Sequence, residues 1–476
     1  MTIPITHTAW RNISGNYYDW TITKQPERPY LHDYSKTLSM KLGMANPDQQ
    51  GGSIVYCTFE QALTVIKETD KLTRGIPKIF YLVGWQYNGH DDKYPAWHEV
   101  NEALKRPEDA TARDSYLWLM EEAKQYNTTV SVHANMTDAY QDSPLWEEYT
   151  KQGAIARFET GEFLVIGSYN NREAYQISYK EEWESGLAVA RIDALIELLQ
   201  LDEAKTVHLD AFFPRTNPSM NYSEEDQSIY MRKIIRYFRD RDIDVTSENF
   251  GHYRNDPFIG LQPWCWWFDM TRETLFMERP AALLTGAYIR DYCLPDIPRR
   301  YDLEFMFGAT MHGEGIFYDE EKGTIGDRWD TALLEEFCKT TLRYQFLNHF
   351  ERLQLEGETE RRIVTYSDDL VLHLYEQTMH YKGCLLQEKT DLFIPALWQT
   401  HLEIIAYSDS GYLYPRTWTL PPQWHHVDAV DIYTITKTGL QPLQSRVKLT
   451  SNYQLQLDLA PKTALAIVPA GTNWAE

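Results

Sequence analysis

The sequence predicts an α/β chain: a (β/α)₈ barrel of the TIM type over residues 1–355, followed by a C-terminal antiparallel β-sandwich over residues 356–476. Three observations predict it. From about Leu38 to about Leu353, short apolar runs alternate with helical patterns, the rhythm of a βα-repeating barrel. Four of those runs stop at clusters of acid, amide, imidazole and indole side chains, and the carboxyl ends of barrel strands are where such side chains do chemistry. Beyond about Glu356 the period drops to two, as in Leu370-Val371-Leu372-His373-Leu374 and Leu455-Gln456-Leu457-Asp458-Leu459. With 476 residues, the chain has room for a barrel of roughly 250 residues and a smaller second domain.

The elements follow in order. Phe59 to Leu72 reads as a helix with Leu63, Val65 and Ile66 apolar, and it leads through Gly75 and Pro77 into a buried strand, Ile79 to Val83. Ser115 to Gln125 is the next helix, before a strand at Val130 to Val132. Trp183 to Leu201 carries Leu187, Ala190, Ile192, Leu195, Ile196 and Leu199 at helical spacing and hands over to the strand Val207 to Leu209. Ser223 and Asp226 have the spacing of a capping box, opening a helix whose apolar side is Ile229, Ile234, Ile235 and Phe238; a strand from Ile243 to Ser247 follows. Later units are an aromatic stretch at Trp264 to Phe268, a helix near Ala281 to Ile289, a strand near Phe305 to Phe307 and a helix from Asp330 to Phe350. Turn residues at Ser408 to Gly411, Pro421-Pro422 and Ala460-Pro461 punctuate the alternating C-terminal runs.

The rim clusters suggest a chemistry. Trp85, Gln86, Tyr87, Asn88, His90 and Asp91 follow the Ile79 strand, and His133, Asn135 and Asp138 follow the Val130 strand. Asp210 and Glu248 each end a strand, and one helix separates those strands, so they are expected to be neighbours. Neighbouring strands lie about 4.8 Å apart, which lets two carboxyl groups reach the roughly 5 to 5.5 Å spacing of a retaining glycosidase pair. Asp210 is then the nucleophile and Glu248 the acid/base. The alternative is that such residues cap the next helix or pair with arginine. His90 and Asp91 suit vicinal sugar hydroxyls, against the alternative of a solvated loop; Gly89 before them permits a turn in which a ligand approaches the backbone. His133 and Asn135 share one face of a strand end, against a satisfied core histidine. Trp85 and Gln86 extend the sugar-binding set. Trp264 and Trp266, with Trp267, wall a subsite or pack in the core, and Glu314 is a lower-ranked rim acid.

Composition excludes other classes. A formal net charge of −23 argues against nucleic acid or an anionic membrane as partner and favours neutral ligands such as a carbohydrate or glycopeptide. The 15 Trp and 32 Tyr suit flat sugar faces, although core packing accounts for most single rings. No His-Glu-x-x-His, phosphate-binding loop, dinucleotide fingerprint or Gly-x-Ser-x-Gly elbow occurs, so no metal and no organic cofactor is expected. Cys57, Cys265, Cys293, Cys338 and Cys384 are odd in number and widely spaced, which predicts buried reduced thiols. The first residues lack a basic stretch followed by an apolar one, and no window approaches the roughly 20 apolar residues of a membrane span, so a cytoplasmic location is expected. Oligomeric state is open.

Four segments together resemble the catalytic barrel of glycoside hydrolase family 101, the endo-α-N-acetylgalactosaminidases, with family 129 as the near alternative. They are Tyr81 to Pro95 with its Gly-His-Asp loop, Val132-His133-Ala134-Asn135-Met136-Thr137-Asp138-Ala139-Tyr140, Leu209-Asp210-Ala211-Phe212 and Thr246-Ser247-Glu248. The resemblance implies a retaining mechanism on α-linked N-acetylgalactosamine, with Asp91, His133 and Asn135 binding the sugar. Substrates of the Galβ1-3GalNAcα-Ser/Thr type are the first expectation. Exo-acting α-N-acetylgalactosaminidase or α-galactosidase action on imported glycans, an inactive sugar-binding barrel, and glycosyl transfer through the same intermediate are the alternatives.

Overall fold

The computed structural model describes residues 30–48, 50–247, 261–263, 277, 301–311, 315–319 and 323–472. Its centre is a parallel sheet of six strands: β1 (Leu38–Gly43), β2 (Lys78–Val83), β3 (Thr128–Asn135), β7 (Thr206–Asp210), β8 (Asp244–Ser247) and β9 (Leu261–Pro263). Each pairs with the next one in that order, and all five pairings are parallel. Between β3 and β7 an insertion adds a three-stranded antiparallel sheet of β4 (Asp138–Ala139), β5 (Val165–Tyr169) and β6 (Arg172–Gln176), with β6 in the middle.

Strand alternation divides the parallel sheet into two faces. Leu38, Met40, Leu42, Phe80, Leu82, Val130, Val132, Ala134, Val207, Leu209 and Val245 belong to the main apolar core. The residues between them, Lys41, Tyr81, Ser131, His133, Asn135, His208, Asp210 and Thr246, line the opposite face, where the rings of Tyr81 and His208 meet at a tilt with centroids 5.4 Å apart and those of His133 and His208 at 5.2 Å. The core face meets helices α1 (Phe59–Leu72), α2 (Ala112–Ala123), α3 (Leu187–Leu199) and α4 (Glu224–Arg239). Capping boxes start three of these, Thr58 with Gln61, Thr111 with Asp114 and Ser223 with Asp226, so the first-turn N–H groups find acceptors.

Three sequence readings change. The helix expected from Trp183 to Leu201 is two helices, Tyr179–Glu184 and Leu187–Leu199, because Gly186 adopts φ 80° between them. Helix α2 begins three residues before the expected Ser115, where Thr111 caps it. The run Phe305 to Phe307 is no strand but the end of a helix, Tyr301–Phe307, with all three of its residues buried. A short apolar run is ambiguous in period, and packing decided it. The helix expected at Asp330 to Phe350 is present as Trp329–Glu336 continued by a π-helical turn and Leu342–Leu347. Ala281 to Ile289 and Trp264 to Phe268 lie outside the described residues, as do Cys265 and Cys293. Cys57, Cys338 and Cys384 are buried free thiols.

Residues 352–469 form a ten-stranded antiparallel sheet, covered on one face by a ribbon of Arg416–Thr419 paired with Gln454–Leu457. Both faces of its central strands are buried. Ile405, Tyr407, Ala464 and Ala466 join the main core shared with the parallel sheet. Ile404, Ala406, Leu465 and Ile467 form a second core with Trp418, Leu455 and Leu457 of the ribbon. That is why Ile404–Ser408 and Thr463–Pro469 are apolar without alternation, whereas strands nearer the sheet edge alternate.

Candidate active site

The site is assembled at the carboxyl ends of β2, β3 and β7. Beyond β2 the chain turns into residues 84–95, held by Asp92, whose carboxylate accepts from the N–H and side-chain amide of Asn88 and pairs with Arg172 at 2.6 Å. Arg172 also donates to the Asp91 carbonyl at 2.6 Å, and Asn170 donates to the His90 carbonyl at 3.0 Å. The turn between β5 and β6 thereby ties itself to the His90–Asp91 segment. Gly89 has φ 138°, and a Cβ there would lie 2.5 Å from the Ala45 carbonyl oxygen. Its lack of a side chain serves close packing on residues 45–46, not the ligand approach expected from the sequence.

On β3, His133 and Asn135 occupy the polar face one pleat apart, as their spacing predicted, and both are buried. Asn135 Oδ1 accepts from the N–H groups of Thr137 at 2.7 Å and Asp138 at 2.8 Å, which fixes the amide so that its Nδ2 donates to Asp210 at 3.3 Å. His133 Nε2 lies 3.5 Å from the same carboxylate oxygen. The β3–β7 register sets Asn135 opposite Asp210, which explains why these two meet. His90 packs edge-on against His133 at 5.1 Å and reaches Asp91 at 3.4 Å.

The electrostatics separate the carboxyl groups. For Asp210, burial acts to raise its affinity for a proton, but the charge and hydrogen bond of His133, then Lys41 and His90, outweigh it and hold the group well below the ordinary range. His133 is pushed down to about 4 by burial and then by the positive charge of Lys41. Asp91 is raised by burial and by Asp210, against His90, Arg172 and Lys41. Asp138 is raised well above its ordinary value by burial and by the Asp91 and Asp210 charges, against Arg215 and Asn135. One carboxylate kept ionised beside others pushed towards the acid form is how acid and base roles are distributed in a site.

Buried polar atoms are normally paired, yet among the described residues several here make no hydrogen bond: Gln86 Oε1, His90 Nδ1, Asp91 Oδ1, His133 Nδ1 and the Tyr140 hydroxyl. Such a convergence matches a polyhydroxylated ligand. His90, His133 and Asp210 also bring donor atoms within 4.8 Å of one another, a set able to hold a divalent cation; the charge of Lys41 beside His133 and Asp210 opposes one.

Of the residues expected from the sequence, His90, Asp91, His133, Asn135 and Asp210 converge. Trp85 does not present its ring as a sugar platform. It is fully buried in the main core, with its indole N–H bonded to the His133 carbonyl at 2.9 Å, so it braces β3 from behind. Gln86 is buried and donates to the Tyr94 hydroxyl at 3.0 Å. Glu248, Trp264 and Trp266, together with Trp267 and Glu314, lie outside the described residues. The expected adjacency of the two carboxylate-bearing strands holds, with Ser247 opposite Leu209, one residue before each acid. Sequence reasoning missed Lys41, Arg172 and Tyr169; the last, at the end of β5, is raised by burial and then by the charges of Asp138, Asp91 and Asp210. Asp138 was visible within its motif, but no local pattern marks the other three.

Residues 48–257 match the family model of glycoside hydrolase family 101, endo-alpha-N-acetylgalactosaminidase. That match covers less than half of the 476 residues. The matched segment contains His90, Asp91, His133, Asn135, Asp138, Asp210 and Glu248, the residues on which the resemblance rested. No curated protein matches the chain by sequence. Among solved structures, ligand-free alpha-N-acetylgalactosaminidase NagBb from Bifidobacterium bifidum is similar at 11% identity and TM-score 0.48, over 72% of this chain and 58% of that one. Its GalNAc complex gives 11% identity and TM-score 0.49, over 73% and 58%. The alpha-amylase of Geobacillus thermoleovorans complexed with acarbose gives 11% and 0.45, over 92% of this chain and 98% of that one. The chain thus spans less than two thirds of the NagBb chains. Among the described residues, no helix is long and apolar enough to cross a membrane.

Proposed function

We propose that this protein is a retaining α-glycosidase that cleaves α-N-acetylgalactosaminyl linkages of O-glycan cores by double displacement. The observation that carries the reading is Asp210: an inward carboxylate at a strand end, held ionised and oriented by His133 and Asn135, on the strand beside the one that leads into Glu248. Asp210 attacks the anomeric carbon while Glu248 protonates the departing oxygen, giving a glycosyl-enzyme; Glu248, now a carboxylate, takes a proton from water, which displaces Asp210 with net retention. His90, Asp91, His133 and Asn135 hold the ring. The reading includes a closed eight-stranded barrel over residues 1–355, supported by six parallel strands in chain order, and a separate C-terminal domain from residue 356.

One observation favours an exo-acting variant of the same chemistry. The His90–Asp91 segment is not an open polar loop, because Asp91 and Asp92 are buried and the β5–β6 turn is fastened across it by Arg172 and Asn170. With Tyr169 at the rim, that turn narrows the space beyond the first sugar.

GalNAcα-aryl and Galβ1-3GalNAcα-aryl substrates, incubated side by side, decide between them: disaccharide release supports endo action, and turnover of the monosaccharide substrate alone supports exo action. Asp210→Ala is expected to lower kcat by at least about 1000-fold. Glu248→Ala, given an activated leaving group, is expected to regain turnover with azide as a glycosyl azide. NMR of the first-formed sugar should show the α-anomer. A β-anomer, or wild-type activity in both variants, sinks the mechanism.

A further inference from the structure

The residue that follows Asp210 has an unusual backbone. Ala211 has φ 41°, in the left-handed region that side chains other than Gly, Asn and Asp seldom enter, so its surroundings must impose it. Two buried hydroxyls hold the turn. Thr137 Oγ1 donates to the Ala211 carbonyl at 3.3 Å, and Tyr179, at the start of the helix Tyr179–Glu184, donates from its hydroxyl to the Phe213 carbonyl at 3.1 Å. The two hydroxyl oxygens lie 2.8 Å apart, so two protons are shared over three contacts. Inside the turn the Phe213 N–H donates to the Ala211 carbonyl at 3.0 Å. Thr137 also donates its N–H to Asn135 Oδ1, the amide whose Nδ2 reaches Asp210. The same threonine thus bears on Asp210 from two sides, through Asn135 at the carboxylate and through Ala211 at the backbone. The Tyr179 ring meets Phe212 of the main core at 5.2 Å. Packing accounts for that ring but not for its hydroxyl, since a phenylalanine would fill the same space without a polar atom to bury.

We propose that Tyr179 is a positioning residue for the nucleophile: with Thr137, its hydroxyl holds the chain after Asp210 in the left-handed turn and so fixes the direction in which that carboxylate leaves the end of β7. The inference rests on the glycosidase reading for its catalytic consequence. Tyr179 acts through the backbone behind the carboxylate, not on the sugar. Attack on an anomeric carbon needs the carboxylate oxygen in line, and a misplacement of about 1 Å can cost about 100-fold in rate. Loss of the hydroxyl therefore weakens turnover and leaves binding in place.

The test places Tyr179→Phe, which keeps the ring and removes the hydroxyl, in the wild-type and Ala211→Gly backgrounds. On an aryl α-GalNAc, Tyr179→Phe is expected to lower kcat by about tenfold or more with KM little changed. Glycine enters the left-handed region without strain, so the loss caused by Tyr179→Phe should shrink by about threefold or more in the Ala211→Gly background. A tyrosine that only packs would show no such dependence on residue 211. Hydrogen exchange read by mass spectrometry over residues 209–213 measures the hold without turnover, and should quicken by about tenfold in Tyr179→Phe. Wild-type kcat in a folded Tyr179→Phe, a loss confined to KM, a loss of equal size in both backgrounds, or unchanged exchange each overturns the proposal. If thermal melting shows that Tyr179→Phe does not fold, Thr137→Val, which removes the other hydroxyl and keeps the N–H to Asn135, takes its place in both measurements. A wild-type chain with no turnover of any α-glycoside sinks the glycosidase reading instead, and the exchange measurement still decides whether Tyr179 holds the turn.

Discussion

At His133 the protein refuses a proton that the same side chain accepts in water. The imidazole is lowered from 6.5 to about 4 by burial and by Lys41. Between those values the unfolded chain binds a proton and the folded one does not, so stability falls as pH drops through that window and is insensitive to this group above it. Asp210 acts in the same direction lower down: its depressed folded value contributes stability that is present above the ordinary carboxylate range and lost as pH falls through the folded value. We therefore expect His133→Gln to flatten the wild-type loss of stability between pH 6.5 and 4, by on the order of 3 kcal/mol at the acid end. Urea unfolding at several pH values measures this. Parallel curves for variant and wild type would mean that His133 titrates normally.

The element that shapes the site is the inserted hairpin of β5 and β6. Its apolar side packs Phe163 and Tyr175 against Trp146 at 5.1 Å each, so the insertion has a small core of its own. From that base Arg172 reaches out to Asp92, Asp142 and the Asp91 carbonyl. Asp92 is 1% exposed, so removal of Arg172 leaves a buried carboxylate without its counter-charge, held by Asn88 alone. We expect Arg172→Ala to release the His90–Asp91 segment and lower kcat/KM by about tenfold or more, mainly through KM. The far-UV spectrum and the small core should persist. Unchanged kinetics would show that the turn does not hold the site.

On the scale of the whole molecule, the parallel sheet and the C-terminal sheet share one core and one clamp. Two residues beyond helix α1, Arg74 forms paired hydrogen bonds with Glu403 at 2.7 and 3.0 Å, while its carbonyl accepts from Trp398 at 2.8 Å and from Gln399. The Glu403 side chain is fully buried. Burial raises its proton affinity, but His401 and Arg74 outweigh this and hold the group below its ordinary value, so its contribution is present above the ordinary range and fades as pH falls. Breaking such a pair from one side costs about 3 to 5 kcal/mol. Arg74→Ala should lower the melting temperature at pH 7 and lose part of that effect at acid pH, as Glu403 takes up a proton. Calorimetry at the two pH values checks it; equal losses would place the cost in packing.

Much of this protein is written locally. Strand and helix periods, capping boxes and the change of period after Glu356 specify which face of each element is apolar, because burial selects for side-chain spacing within one element. The same logic exposed Asp91, His133, Asn135 and Asp210, since polar groups interrupting an apolar strand at its carboxyl end have no packing role to play. Other features required the three-dimensional chain. Trp85 looks like a sugar platform in sequence and is a core brace in space, as an indole serves either purpose and only the direction of its side chain distinguishes them. Phe305 to Phe307 reads as a strand and is helical because a run of three apolar residues satisfies either period. Lys41, Arg172 and Tyr169 join the site from positions up to about 170 residues before Asp210, and no pattern around them announces it. Their roles come from the distances that strand pairing and an inserted hairpin impose, and charge acts across distance in space, not along the chain.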